Sequence, residues 1–126
     1  MAKKHADWKS RPEEADYDAA LSFLSLLLPA AIARRWVAKA RRAPRIERVA
    51  KDLLRASNLP LLSVDEKHVA EDLKRIHKGK PLSPVIVIQG DLTKSRPFII
   101  ADGYHRVCAA CHADEDAPVA ATLVSP

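Results

Sequence analysis

A five-residue motif near the end of the chain, Asp102–Arg106 with the letters DGYHR, combines residue types that can hold an anion. It follows the β-prone run Phe98–Ala101 and precedes the alanine-rich run Val107–Ala110, which predicts a strand, a tight turn and a helix start. Asp102 is then the natural N-cap, and Gly103 lets the backbone approach a ligand closely. Free first-turn amides and the helix dipole, with a histidine and an arginine beside them, would favour a phosphate group.

The same residues also have a purely structural interpretation. Asp102 would only cap the helix, Arg106 would pair with a surface carboxylate and His105 would pack against its neighbours. Short motifs of this kind often occur without a ligand. The motif by itself therefore leaves both interpretations open.

A second motif, Cys108-Ala109-Ala110-Cys111-His112, matches the haem-attachment pattern of c-type cytochromes. Haem attachment requires export, for which we find no signal, and a redox pair needs its first cysteine at a helix N-terminus. Two thiols and one adjacent histidine on a single helix also cannot readily surround a tetrahedral zinc ion. We therefore expect no haem and no metal here, and we predict that Cys108 is a core thiol.

The basic residues are concentrated in one part of the chain. The formal net charge is +5 over 126 residues, with −1 in residues 1–18, +7 in residues 19–57 and −1 in residues 58–126. A local excess of this kind could contact a nucleic acid or an acidic protein, although a solvated helix face is the commoner explanation. The candidate contact residues are Arg41, Arg42, Arg45 and Arg48.

No segment predicts targeting or membrane insertion. The longest apolar run, Ala19–Ala33, is interrupted by Pro29 and is short for a membrane span. We therefore expect a cytoplasmic protein with no membrane contact and with both cysteines reduced. The sequence gives no indication of the oligomeric state.

The N-terminal half has helical periodicity and the C-terminal half is mixed. We divide a single domain, residues 1–126, into an arm (1–12), a helical subdomain (13–57) and an α+β core (58–126). The helical subdomain contains three predicted helices, with Pro29 and Pro44 at the breaks. The third helix is predicted from apolar residues at helical spacing, namely Ile46, Val49, Ala50, Leu53 and Leu54.

The core is predicted to alternate strands with helices. The predicted elements are a short strand at Leu61–Val64, a helix through Val69 and Ile76 that Gly79 ends, a buried strand at Val85–Ile88, a strand at Pro97–Ile100, a helix at Gly103–Ala113 and a strand at Ala117–Val124. The fold class is therefore α+β, a small mixed β-sheet with helices, preceded by a helical layer.

The segment Leu61–Val124 resembles the ParB and sulfiredoxin superfamily in the order and spacing of its elements. The resemblance rests on Gly79–Pro84 leading into Val85–Ile88, then on Ile99–Arg106, and on the closing Ala117–Val119. It implies a small mixed-sheet domain that binds a nucleotide, and it says nothing about the N-terminal half of the chain.

In that superfamily the strand, turn and helix start form a nucleotide-phosphate site, with the letters GERR in ParB, GCHR in sulfiredoxin and DGHHR in related free-serine kinases. Asp102–Arg106 is most similar to the last, with Tyr104 replacing a histidine. Sulfiredoxin's catalytic cysteine would fall at Tyr104, so sulfinic acid reduction is not expected. The resemblance implies ATP or another nucleotide with Mg²⁺, or a phosphorylated small molecule, held by Asp102, Gly103, Tyr104, His105 and Arg106, with Lys80 and Ser83 nearby.

The kinase-like members have an acidic residue just after their first strand, and Asp65 or Glu66 occupies about that place. Such a carboxylate could act as a base toward a hydroxyl in an ATPase or phosphotransferase. Asp65 is equally suited to capping the helix that contains Val69. The sequence leaves open whether the protein is an enzyme or a non-enzymatic module that uses the basic helices 29–57 to bind a nucleic acid or an acidic protein.

Overall fold

A computed structural model describes residues 4–126 and places a four-stranded mixed sheet between two layers of helices. The helices are α1 (Glu14–Leu24), α2 (Ala30–Ala40), α3 (Ala50–Ser57), α4 (Lys67–His77) and α5 (Tyr104–Ala113), and the strands are β1 (Arg45–Val49), β2 (Val85–Ile88), β3 (Ile99–Asp102) and β4 (Pro118–Val124). The strand order is β1-β4-β2-β3, with β2 and β4 parallel and the other pairs antiparallel. The predicted α+β class is confirmed.

The side chains of β2 alternate between the two helical layers. Val85 and Val87 belong to the core cluster under α3, α4 and α5, whereas Ile86 and Ile88 belong to the cluster under α1 and α2. Because helices cover both faces of the sheet, a central strand must be apolar throughout its length. The continuous run Val85–Ile88 meets this requirement, and the predicted buried strand is confirmed.

Residues 45–49 form a strand and not the first turn of the predicted third helix. Ile46 lies opposite Ala121 in the antiparallel pair of β1 and β4, and Val49 has an extended backbone as the N-cap residue of α3. Short apolar segments can suit either structure, and β-branched side chains favour the strand once a neighbouring strand supplies hydrogen bonds. The third predicted helix is therefore limited to Ala50–Ser57.

The strand predicted at Leu61–Val64 is absent, and these residues form an irregular segment. Leu62 packs against the core, while Leu61 and Val64 are exposed. A short apolar run becomes a strand only where a neighbour accepts its backbone hydrogen bonds, and this segment has no such neighbour among the described residues.

The predicted N-terminal arm is anchored to the core over part of its length. Lys9 N–H donates to the Leu82 carbonyl (2.8 Å), Leu82 N–H donates to the Asp7 carbonyl (2.9 Å), and Trp8 packs against the core. The first residues of the arm, 1–3, lie outside the described part of the chain. Within that part, none of the helices is long and apolar enough to cross a membrane.

We predict that Ile86→Ala destabilises the protein by about 2–5 kcal/mol, because it removes a buried side chain from the centre of the sheet. Urea unfolding would measure the change. The matched control is Leu92→Ala, at a side chain that is 93% exposed, for which we expect a change within about 0.5 kcal/mol. Equal losses in the free energy of unfolding for the two variants would contradict the burial of Ile86 between the sheet and the helices.

Candidate functional site

The chain passes from β3 into α5 through Gly103, which is the N-cap residue and has a φ of +104°. An added Cβ would lie 2.4 Å from Val85 Cγ1 and 2.7 Å from Arg106 Nη2. Asp102 is the last residue of β3, opposite Ile86, so the prediction that Asp102 is the N-cap is wrong by one position. Glycine is needed here for its backbone conformation and because the Arg106 guanidinium occupies the adjacent space.

Arg106 forms the centre of a buried ion cluster. Its Nη1 donates to Asp16 Oδ1 (2.9 Å) and to Ser83 Oγ (3.2 Å), and its Nη2 donates to Asp102 Oδ2 (2.8 Å). The side chain is only 15% exposed. Arg106 therefore connects α1, the loop before β2 and the end of β3, and it pairs with two largely buried carboxylates where the structural interpretation expected a surface one.

The two carboxylates of this cluster share a single guanidinium, and their pKa values move apart. Burial raises the pKa of Asp102 to about 6, Arg106 opposes the change and the charge of Asp16 adds to it. Burial also acts on Asp16, but the Glu13 N–H and Arg106 hold its pKa below the ordinary value. The cluster therefore takes up a proton at Asp102 first, as expected for like charges that share one partner.

A cavity of about 320 Å³ lies beside Arg106 at the N-terminus of α5. Its walls come from α4 and from the β3–α5 junction, through His68, Glu71, Asp72, Arg75, Asp102, Gly103, His105 and Arg106. The first backbone bond of α5 runs from Val107 N–H to the Gly103 carbonyl. The amides that precede Val107 are therefore the free donors that the sequence predicted at this helix start.

Four of these wall residues were missed from the sequence, and all four lie on α4. The set His68, Glu71, Asp72 and Arg75 has the spacing of one helix face, beside the apolar stripe of Val69, Leu73 and Ile76, and Asp72 is itself buried. The ring centroids of His68 and His105 are 4.9 Å apart. A polar stripe at helical spacing was the available signal, but nothing local placed it beside the Asp102–Arg106 motif.

Of the two candidate acid–base residues, Glu66 lies beside the motif. Its carboxylate accepts the Val69 N–H (2.8 Å), and its Oε2 is 3.9 Å from His105 Nε2. The Val69 N–H, and then His105, hold the pKa of Glu66 below its ordinary value. Asp65 is exposed, so the cap predicted there is in fact made by Glu66.

The remaining predicted site residues differ in position. Ser83 is buried and bound to Arg106, and it lines a second cavity of about 270 Å³ that shares Arg106 as a wall residue with the first. Tyr104 uses its hydroxyl to donate to the Pro60 carbonyl, and its ring packs against the core. Lys80 is exposed and lines neither cavity. The structure thus brings together Glu66, Ser83, Asp102, Gly103, His105 and Arg106, and it leaves Lys80, Asp65 and the Tyr104 hydroxyl apart.

The four arginines predicted to contact nucleic acid do not share one helix face. Arg41 makes two hydrogen bonds to the carboxylate of Glu14, at 2.6 and 3.0 Å, and Arg42 lies in the turn after α2. Arg45 and Arg48 belong to the edge strand β1, where an odd spacing places their side chains on opposite faces. The basic excess is therefore distributed over a helix end, a turn and a strand.

The cysteine motif lies on α5, with Cys108 in the core and Cys111 half-buried. Burial raises the pKa of both thiols. His112 Nε2 is 2.6 Å from the Leu62 carbonyl oxygen. The prediction that Cys108 is a core thiol is confirmed.

Comparison with protein-family models, curated proteins and solved structures finds no match for this chain. The superfamily resemblance of Leu61–Val124 therefore stays a prediction from sequence. Function has to be inferred from the side chains around Gly103 and Arg106.

We predict that the stability of the wild type relative to Asp102→Asn falls as the pH rises. A carboxyl whose pKa is raised by folding binds its proton more tightly in the folded state, so its contribution is most favourable below the unfolded pKa and is lost as the pH passes about 6. Between about pH 4 and pH 7 the difference in the free energy of unfolding between the wild type and Asp102→Asn should shift by on the order of 2–3 kcal/mol in favour of the variant.

Urea unfolding of both proteins at constant ionic strength measures this shift. A difference that does not change with pH, or that changes in the opposite direction, would show that the buried carboxyl of Asp102 is ionised throughout.

Proposed function

We propose that the protein binds the phosphate group of a nucleotide, or of another phosphorylated small molecule, at the N-terminus of α5. The observation that carries the proposal is the cavity of about 320 Å³ in which a helix start, two histidines and Arg75 converge. A helix N-terminus with free amides is a favourable place for an anion, and a cavity of this size suits a small ligand. The proposal agrees with what the superfamily resemblance of Leu61–Val124 implies.

The donors available to a phosphate are His105, His68 and the amides before Val107. The His105 side chain is 43% exposed, and its only close charged neighbour among residues 4–126 is Glu66, at 3.9 Å. Gly103 presents no side chain at the helix start. An incoming phosphate could therefore accept hydrogen bonds from an imidazole and from the backbone without displacing a core side chain.

Arg106 supports the site by positioning and is not free to bind the ligand by itself. Both of its terminal nitrogens already donate to buried oxygens, and the Nε atom is buried without a partner in the described chain. Removal of Arg106 would leave Asp16 and Asp102 without their shared cation and would destabilise the fold. A loss of ligand binding in such a variant would therefore not report on a contact between Arg106 and the ligand. The site is better tested through His105.

The charges around the cavity favour a phosphate that arrives with Mg²⁺. Its walls carry the carboxylates of Glu71, Asp72 and Asp102, against the guanidinium groups of Arg75 and Arg106. Within residues 4–126, no three His, Cys, Asp or Glu side chains are arranged to hold a metal ion. Phosphate oxygens and retained water molecules would thus supply most of the ligands of Mg²⁺, and wall carboxylates such as Glu71 would offset its remaining charge.

The proposal extends to a cytosolic location, where nucleoside triphosphates and Mg²⁺ are abundant and thiols stay reduced. If the bound phosphate is transferred, Glu66 is the candidate base, since it lies beside His105 and Asp65 does not.

The alternative, a module that binds nucleic acid through the basic segment, has less support because Arg41 and Arg45 are engaged by Glu14 and Glu47.

We predict that millimolar ATP, ADP, CTP or GTP with Mg²⁺ raises the melting temperature, because a ligand that binds only the folded state stabilises it. His105→Ala should weaken the binding of the best of these nucleotides on the order of ten-fold, the effect of losing one hydrogen bond to a charged group. Calorimetric titration measures the affinity.

The matched control is His77→Ala, at an exposed residue on α4 that does not line the cavity. It should bind as the wild type does. The proposal fails if none of the nucleotides stabilises the wild type, or if both variants lose affinity equally. Gly103→Val is not a useful test, because its side chain would collide with Val85.

A further inference from the structure

A separate cavity of about 460 Å³ lies on the α1–α2 side of the sheet. Its apolar walls include Leu24, Leu28, Trp36, Ile88 and Ile99. These residues come from α1, the α1–α2 turn, α2, β2 and β3, so the cavity is enclosed by several elements. It shares no wall residue with the cavity at the start of α5.

Cationic side chains form one part of the cavity wall. Lys94 and Arg96 lie in the segment between β2 and β3, and neither side chain forms an ion pair in the described chain. The nearby carboxylate of Asp91 accepts from both the hydroxyl and the amide of Thr93. Thr93, and then the charge of Arg96, hold the pKa of Asp91 below its ordinary value, so this carboxylate offsets part of the positive charge beside the apolar space without forming an ion pair with it.

We propose that this cavity binds a small amphipathic carboxylate, with its hydrocarbon part among the apolar walls and its carboxylate at Lys94 and Arg96. The volume lies within the range of small-molecule sites, which are mostly apolar and carry a few placed polar groups. Burial of the hydrocarbon part supplies the driving force, and the two cations select an anionic head group over a neutral one.

The apolar surface continues from the cavity to the solvent. Leu27, which lines the cavity, is 54% exposed, and the adjacent Leu26 is 83% exposed and does not line it. Leu27 therefore lies at the opening through which a hydrocarbon chain would enter. Leu27 is therefore a position at which mutation tests the proposal, and the adjacent Leu26 is its control.

Decanoate and decanol are a suitable pair of probes, because they share a hydrocarbon chain and differ in the charge of the head group. Trp36 lies in the wall, and the only other tryptophan, Trp8, packs in the cluster on the opposite face of the sheet. Decanoate, added below the concentration at which it forms micelles, should change the fluorescence of Trp36 and raise the melting temperature. Decanol should bind more weakly.

Two variants test the parts of the proposal separately. Lys94→Gln combined with Arg96→Gln should lower the affinity for decanoate on the order of ten-fold or more, because charged hydrogen bonds are lost. The affinity for decanol should not change. Leu27→Glu should lower the affinity for decanoate because it places a negative charge at the opening of the cavity. Leu26→Glu should have little effect on this affinity.

The proposal is overturned if neither probe binds the wild type, or if decanol binds as tightly as decanoate. It is also overturned if Leu26→Glu and Leu27→Glu weaken binding equally, or if an acidic amphipathic peptide binds at this surface where decanoate does not. Nucleotide binding at the start of α5 is measured independently of all these outcomes.

Discussion

The buried ion cluster around Arg106 is the interaction on which the rest of the structure depends. It connects the first turn of α1, through Asp16, to the end of β3, through Asp102, and it lies against the loop that leads into β2. Breaking a buried pair by removing one partner typically costs about 3–5 kcal/mol, because a desolvated charge is left uncompensated. The attachment of the N-terminal helices to the sheet therefore includes a polar interaction that constrains geometry, in addition to apolar packing.

This cluster also explains the chemical character of the cavity at the start of α5. The guanidinium of Arg106 is occupied by Asp16 and Asp102, and Arg75 donates to Asp72 (2.6 Å), so the groups left for a ligand are the imidazoles and the amides of the helix start. The alternation of β2 then separates the molecule into two chemically different sides. A polar cavity lies on the side of α4 and α5, and an apolar cavity with a cationic edge lies on the side of α1 and α2.

Local patterns predicted the elements whose structure is decided locally. The apolar run Val85–Ile88 formed the buried strand, Pro29 separated α1 from α2, and Gly79 followed the end of α4 with a φ of +73°. The predicted secondary structure was wrong where the presence or absence of a pairing strand, distant in sequence, decided whether a segment became a strand. Residues 45–49 became a strand because β4 supplied a partner, and Leu61–Val64 stayed irregular because no strand within residues 4–126 did. Short apolar segments carry too little periodicity to settle this choice by themselves.

The candidate site divides in the same way. The sequence alone determined that a glycine would start α5 after a strand, with His105 and Arg106 beside it, since these residues are adjacent and the turn is built from short-range conformational preferences. Only the tertiary structure decided what surrounds them. Asp16, ninety residues from Arg106, and the polar face of α4 reach the site through packing of whole elements against the sheet. No local pattern encodes such pairings, because they are fixed by which faces of the sheet and helices must be buried together.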